Sequence, residues 1–167
     1  MDLIGFLTSL ATDPVSYSVV FFTYTVLAAV ILPIPVEIGL FNFHMNPALL
    51  VVILALGKGA GSLIVFEIGT KARGRIKRIS VKNSFIKKLV EYSEWFVKNY
   101  GYYGLLLVLS TPLMIDSISL YLFSLLNPEE KGSGMDRGWF VGTNIIAGAI
   151  RGIITLAVFY YIGYKLV

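Results

Sequence analysis

Four long apolar stretches, at about Val15 to Leu32, Ala48 to Gly69, Gly104 to Leu126 and Trp139 to Val167, take up most of this 167-residue chain. A helix needs roughly 20 apolar residues to cross about 30 Å of hydrocarbon, so each stretch is long enough for one passage. Hydrophobic residues make up 56% of the sequence, above the roughly 45–50% typical of soluble domains. The expectation is an all-α integral membrane protein with one membrane domain, because too few residues remain for a separate soluble one. Met1 to Gly5 has no basic n-region, so the first apolar stretch is expected to stay in the protein rather than act as a signal peptide.

Charge divides the domain. Nine of the 14 Lys and Arg residues lie between Lys71 and Lys98, directly after an apolar stretch, so the net charge of +4 points to a membrane surface rather than to nucleic acid. The expected organisation is a first half over 1–70, a basic connector over 71–100 and a second half over 101–167. In the connector, Ser84 to Asn99 places Phe85, Leu89, Tyr92 and Phe96 on one helical face, as in a helix lying on the membrane. Asp2 to Asp13, with Leu3, Ile4, Phe6, Leu7 and Leu10, reads the same way. The positive-inside rule puts Lys71 to Lys98 in the cytoplasm and the slightly acidic Asn127 to Arg137 outside, for a multi-pass protein of the cell membrane.

Two apolar stretches are interrupted. Pro33 and Pro35 precede Glu37, and Pro112 precedes Asp116. Each proline removes a backbone donor where no water replaces it, which is tolerated at membrane depth only where the chain is buried in protein or lines a wet cavity. Re-entrant segments of transporters have this character. The order then repeats: Gly57-Lys58-Gly59-Ala60-Gly61 follows the first break and Gly148-Ala149-Ile150-Arg151-Gly152 the second. Both halves close on Ile-Gly-x-Lys, at Ile68 to Lys71 and Ile162 to Lys165. Two broken segments related by inverted pseudo-symmetry are the expected architecture.

Glu37, just past the first stretch, and Lys58, Glu67, Asp116 and Arg151, within the others and ahead of the closing Lys165, are the charged residues among these apolar segments. Each costs about 2.5–3.5 kcal/mol at a helix centre, so they should face one another or a water-filled cavity. Glu37, Asp116, Arg151 and Lys58 form the candidate headgroup or proton site. The bland alternatives are a structural Asp116–Arg151 pair, a Glu37 that only satisfies freed backbone N–H groups, and a snorkelling Lys58. Glu67 is expected to pair with Lys71 or Arg75, one turn and two turns on. Trp95, Trp139 and the tyrosines near Tyr100 and Tyr160 suit interfacial belts. With no cysteine and His44 as the only histidine, neither a metal site nor a cofactor is expected. Gly-x-Ser-x-Gly and His-Glu-x-x-His are missing, so an enzyme is not expected.

At these residues the chain resembles the DedA family, also called the SNARE-associated or VTT-domain membrane proteins. LPIPVE at Leu32 to Glu37 is similar to the family's first re-entrant segment. GAGSLIVFEIGTKARG, Gly59 to Gly74, looks like its Gly-rich helix, with Ser62 in place of an acid and Phe66 in place of a tyrosine. YGYYGLLLVLSTPLMID resembles the second re-entrant segment, and NIIAGAIRGIITLAVFYYIGY the closing helix. The family's second loop carries two arginines where this chain has Leu109 and Ile115, so a phosphate-binding role does not pass to those positions, and Arg151 or Lys58 is left to supply the cation. The resemblance implies opposed re-entrant loops and movement of phosphate-bearing lipids, phospholipid or polyprenyl phosphate, between leaflets. A membrane scaffold or a proton-coupled small-solute carrier is the alternative, and a homo-oligomer is compatible with either.

Overall fold

The computed structural model describes residues 13–31, 35–42, 44–80, 95, 99–112, 116–125 and 135–166, and all regular structure among them is helical. Pro33, Ile115, Leu3 to Leu10, most of the surface helix expected over Ser84 to Asn99, and Asn127 to Gly134 lie outside the described residues. Helix α1 covers Pro14–Val30, a 3-10 turn covers Val36–Leu40, and α2 covers Pro47–Ser80. Helix α3 covers 99–110, α4 Asp116–Leu125 and α5 Arg137–Leu166.

Local chemistry sets the helix starts. Asp13 accepts the Ser16 N–H at 2.9 Å ahead of Pro14, and Asn46 accepts the Ala48 N–H at 2.9 Å ahead of Pro47. An Asx oxygen satisfies an orphan donor of the first turn, and proline is suited to the first helical position because its missing N–H has no partner there anyway. Asp136 does the same for Gly138 at the head of α5.

Among the described residues two helices are long and apolar enough to cross a membrane: α2 over Pro47–Ala72 and α5 over Arg137–Ile162, 26 residues each. They run antiparallel. Gly59 fits against Ile145 and Val141, Gly148 against Lys58 and Ala55, and Gly152 against Leu54 and Val51. α2 is the buried central helix, packed on α1, α4 and α5. It continues without interruption to Ser80.

The other two apolar stretches are followed or divided by a reversal of the chain. α1 has 17 residues, about 25 Å of helix. It runs parallel to α2, with Thr25 against Gly57 and Ala29 against Gly61. The chain then doubles back along α1: the Tyr24 hydroxyl donates to the Pro35 carbonyl at 3.0 Å, and the Tyr17 hydroxyl to the Gly39 carbonyl at 2.8 Å. The third stretch divides into α3 and α4 around Thr111 and Pro112. Tyr102 sits by Trp139 and accepts the Asp136 N–H at 2.8 Å, whereas Leu109 reaches Lys58 in mid-bundle. α4 then runs back from Asp116, beside Lys58, to Ser124, beside Gly69.

This reversal corrects the expected placement of Asn127 to Arg137 opposite the basic segment. Ser124 lies against Gly69, and Arg137 pairs with Glu67 at 2.9 Å, so both ends of that loop are at the Lys71 end of the bundle. The cause is the break: a stretch that counts as one crossing by hydropathy enters and leaves by the same end. Glu67 therefore reaches across to α5, a pairing not anticipated from its own helix.

Candidate functional site

The four ionisable residues singled out from sequence meet at the centre. Lys58 and Arg151 are 0% exposed, Glu37 4% and Asp116 5%. Arg151 donates from Nε to Glu37 Oε1 at 2.6 Å and from Nη1 to Asp116 Oδ1 at 2.8 Å, and Nη2 also faces Glu37 Oε1. Lys58 Nζ donates to the same Asp116 Oδ1 at 3.1 Å and to the Leu109 carbonyl at 3.2 Å. With these charge states, two cations and two carboxylates leave the cluster neutral, the condition under which buried charges are tolerated.

Each side chain arrives from a different element. Glu37 is presented by the 3-10 turn after Pro35, Asp116 opens α4 after the second break, and Lys58 and Arg151 come from the glycine-rich faces of α2 and α5. A Cβ on Gly148 would meet Lys58 Cδ at 3.0 Å and Ala55 Cα at 3.1 Å. Glycine there lets the two helices approach closely enough for both cations to share one centre. Lys58 thus points inward rather than snorkelling, and it serves the second break through both the Leu109 carbonyl and the Asp116 carboxylate. Leu109 is itself fully buried.

An apolar pocket of about 420 Å³ adjoins the cluster, lined by Pro35, Glu37, Ile38, Phe41, Pro112, Thr155, Val158, Phe159 and Ile162. Both proline breaks and the second half of α5 build its walls. Glu37 belongs both to the pocket wall and to the Arg151 pair. Ile38, Val158 and Ile162 are exposed on the outer surface, so the pocket communicates with the apolar exterior. Its volume falls in the roughly 300–1,000 Å³ range of small-molecule sites.

Thr155 was not read as a site residue. Its hydroxyl oxygen, like the amide oxygen of Asn144, is buried with no hydrogen-bond partner among the described residues. The available signal was spacing: Asn144, Arg151 and Thr155 stand at i, i+7 and i+11, close to whole helical turns. Other buried polar side chains satisfy themselves within their own helices, Thr25 on the Phe21 carbonyl, Ser62 on Gly59 and Ser124 on Tyr121. His44 is exposed, and no group of three metal-ligating side chains occurs among the described residues. No family model, no curated protein and no solved structure matches this chain.

Proposed function

We propose that this chain is a DedA-like integral membrane protein that lets the polar head of a phosphate-bearing lipid cross the bilayer. The observation that carries the proposal is the neutral four-charge cluster, buried where the two proline breaks meet and opening through Glu37 onto an apolar pocket. In this reading α2 and α5 span the membrane, and the segments around Pro35 and Pro112 re-enter it from opposite faces, related by inverted pseudo-symmetry. Exposed Trp139 lies at one end of α5 and exposed Tyr160 and Tyr161 at the other, about 30 Å apart at 1.5 Å per residue, the spacing of two interfacial aromatic belts. Exposed aliphatic residues, Ile146, Ile153, Ile154 and Val158, fill the interval.

Arg151 already holds both carboxylates, so a lipid phosphate reaches it by displacing one of them. Glu37 is the one in the pocket wall. The planar guanidinium fork then grips the phosphate through two N–H donors, a geometry that ammonium cannot reproduce. The headgroup moves through the polar centre while its chains stay in hydrocarbon. The test is leaflet exchange of labelled phospholipid and labelled polyprenyl phosphate in proteoliposomes. Exchange at the rate of protein-free liposomes for both lipids would rule out the transport reading. A purely structural ion network joining the two breaks is the second reading, favoured by the cluster's charge balance.

Under the positive-inside rule the Lys71 end is cytoplasmic. Single cysteines in this cysteine-free chain provide a check: Lys71→Cys and Asp136→Cys are expected to react with an impermeant maleimide only from the cytoplasmic side, and His44→Cys only from outside. Labelling of Lys71→Cys and Asp136→Cys from opposite sides would overturn the arrangement.

A further inference from the structure

On α5, the direction that carries Arg151 into the cluster carries three other side chains. Asn144, Arg151, Thr155 and Ile162 are separated by seven, four and seven residues, 18 in all, which is five turns of helix. They therefore lie along one line about 27 Å long, most of the thickness of a hydrocarbon core. Ile162 is at the pocket's outer edge and Thr155 in its wall. Asn144 lies beyond the cluster toward the Lys71 end, because Phe140, one turn earlier, packs against Phe66 of α2.

At the middle of this line the Arg151 guanidinium is engaged, and on α5 the polar oxygens that flank it are not. Arg151 is held by two carboxylates, whereas Asn144 Oδ1 and Thr155 Oγ1 have no partner among the described residues. The amide orientation of Asn144 follows from its own bond: Nδ2 donates to the Phe140 carbonyl at 2.8 Å, which leaves the oxygen as the free atom. That oxygen can only accept, and Asn144 is fully buried. Leaving a buried acceptor unsatisfied is unfavourable, and such groups in folded proteins call for a specific reason.

We infer that Asn144 and Thr155 are the hydrogen-bonding stations on either side of Arg151, engaging donor hydrogens of the passing headgroup while its phosphate exchanges at the guanidinium. This rests on the transport reading above and adds a requirement to it: the cargo head carries hydroxyl or ammonium hydrogens beside its phosphate. Thr155 takes the head on the pocket side and Asn144 on the side of the basic end.

The test uses the full chain in proteoliposomes, with fluorescent phosphatidylethanolamine as donor-bearing probe and its N,N,N-trimethylated counterpart as donor-free probe. Asn144→Leu and Thr155→Val remove the acceptors at nearly constant shape. Each is expected to slow phosphatidylethanolamine exchange about tenfold and to leave exchange of the trimethylated lipid within about twofold, with Tm unchanged or raised. Thr155→Ser, which keeps the hydroxyl, should restore the wild-type rate. Equal slowing of both probes, or a loss of Tm that parallels the loss of rate, would assign these residues to packing and overturn the inference. If both variants exchange phosphatidylethanolamine at the wild-type rate while Arg151→Gln does not, the stations are wrong and the transport reading stands. If the wild type exchanges neither probe faster than protein-free liposomes, both fail together.

Discussion

Arg151→Gln is expected to lower the stability of the detergent-solubilised protein by about 3–5 kcal/mol, the cost of removing one partner from a buried ion pair. The substitution keeps much of the volume and some hydrogen bonding, but it leaves Glu37 and Asp116 with Lys58 as their only cation within the four-residue cluster. Since Lys58 contacts Asp116, Glu37 becomes the uncompensated charge. Adding Glu37→Gln restores the balance of one cation and one carboxylate, so the double variant should regain most of the lost stability. Thermal and denaturant unfolding of the two single variants and the double give the coupling energy directly. Leaflet exchange on the same proteins distinguishes the two readings of the site. A transport site predicts a double variant that is stable and inactive, because the phosphate fork is gone. A structural network predicts that stability and exchange return together.

The residues of this cluster were legible in the sequence because the physics that marks them is local. A charge within 20 apolar residues is expensive whatever it packs against, so Glu37, Lys58, Asp116 and Arg151 stand out before any fold is known. Which charges meet was less legible. The sequence suggested Asp116 with Arg151, but the bond from Arg151 to Glu37 and that from Lys58 to the Leu109 carbonyl depend on α5 lying antiparallel to α2 with glycines at the crossing. Those contacts join residues 114 and 51 positions apart, beyond the reach of periodicity.

Chain direction was the larger loss. Hydropathy counts apolar residues without recording where the chain turns, so Gly104 to Leu126 was long enough for one crossing and, although a break was expected at Pro112, the loop after it was assigned to the wrong end. The information was present in Pro112, which marked the break, but a break is compatible with a kinked span as well as with a reversal. The reversal is decided by packing: Ser124 finds Gly69, and Tyr102 finds Asp136 and Trp139, at one end of the bundle. Asn144 and Thr155 were missed for a different reason. A buried amide or hydroxyl is ordinary in sequence and becomes unusual only when its partner is found to be lacking.

Gly61→Val is expected to abolish exchange without touching a charge. A Cβ at this position would lie 2.5 Å from the Ala29 side chain and 3.0 Å from the Val26 carbonyl, and the second of these is backbone that no rotamer change can move. Overpacking of this kind costs about 1–3 kcal/mol when neighbours can shift. Here the element that must shift is α1. Because Tyr24 and Tyr17 hold the returning strand of chain at Pro35 and Gly39, a displaced α1 carries the 3-10 turn with it and draws Glu37 away from Arg151. The functional loss should therefore exceed the loss of stability. Gly142→Val is the control: a Cβ there meets nothing within 4 Å, so both Tm and exchange should stay near wild type. Tm and exchange are measured on the same preparations, and Gly61→Ala, which adds the Cβ alone, should fall between wild type and Gly61→Val in both. If Gly61→Val loses Tm but keeps the wild-type rate of exchange, the position of Glu37 does not control passage, and the cluster's role at the first break is structural.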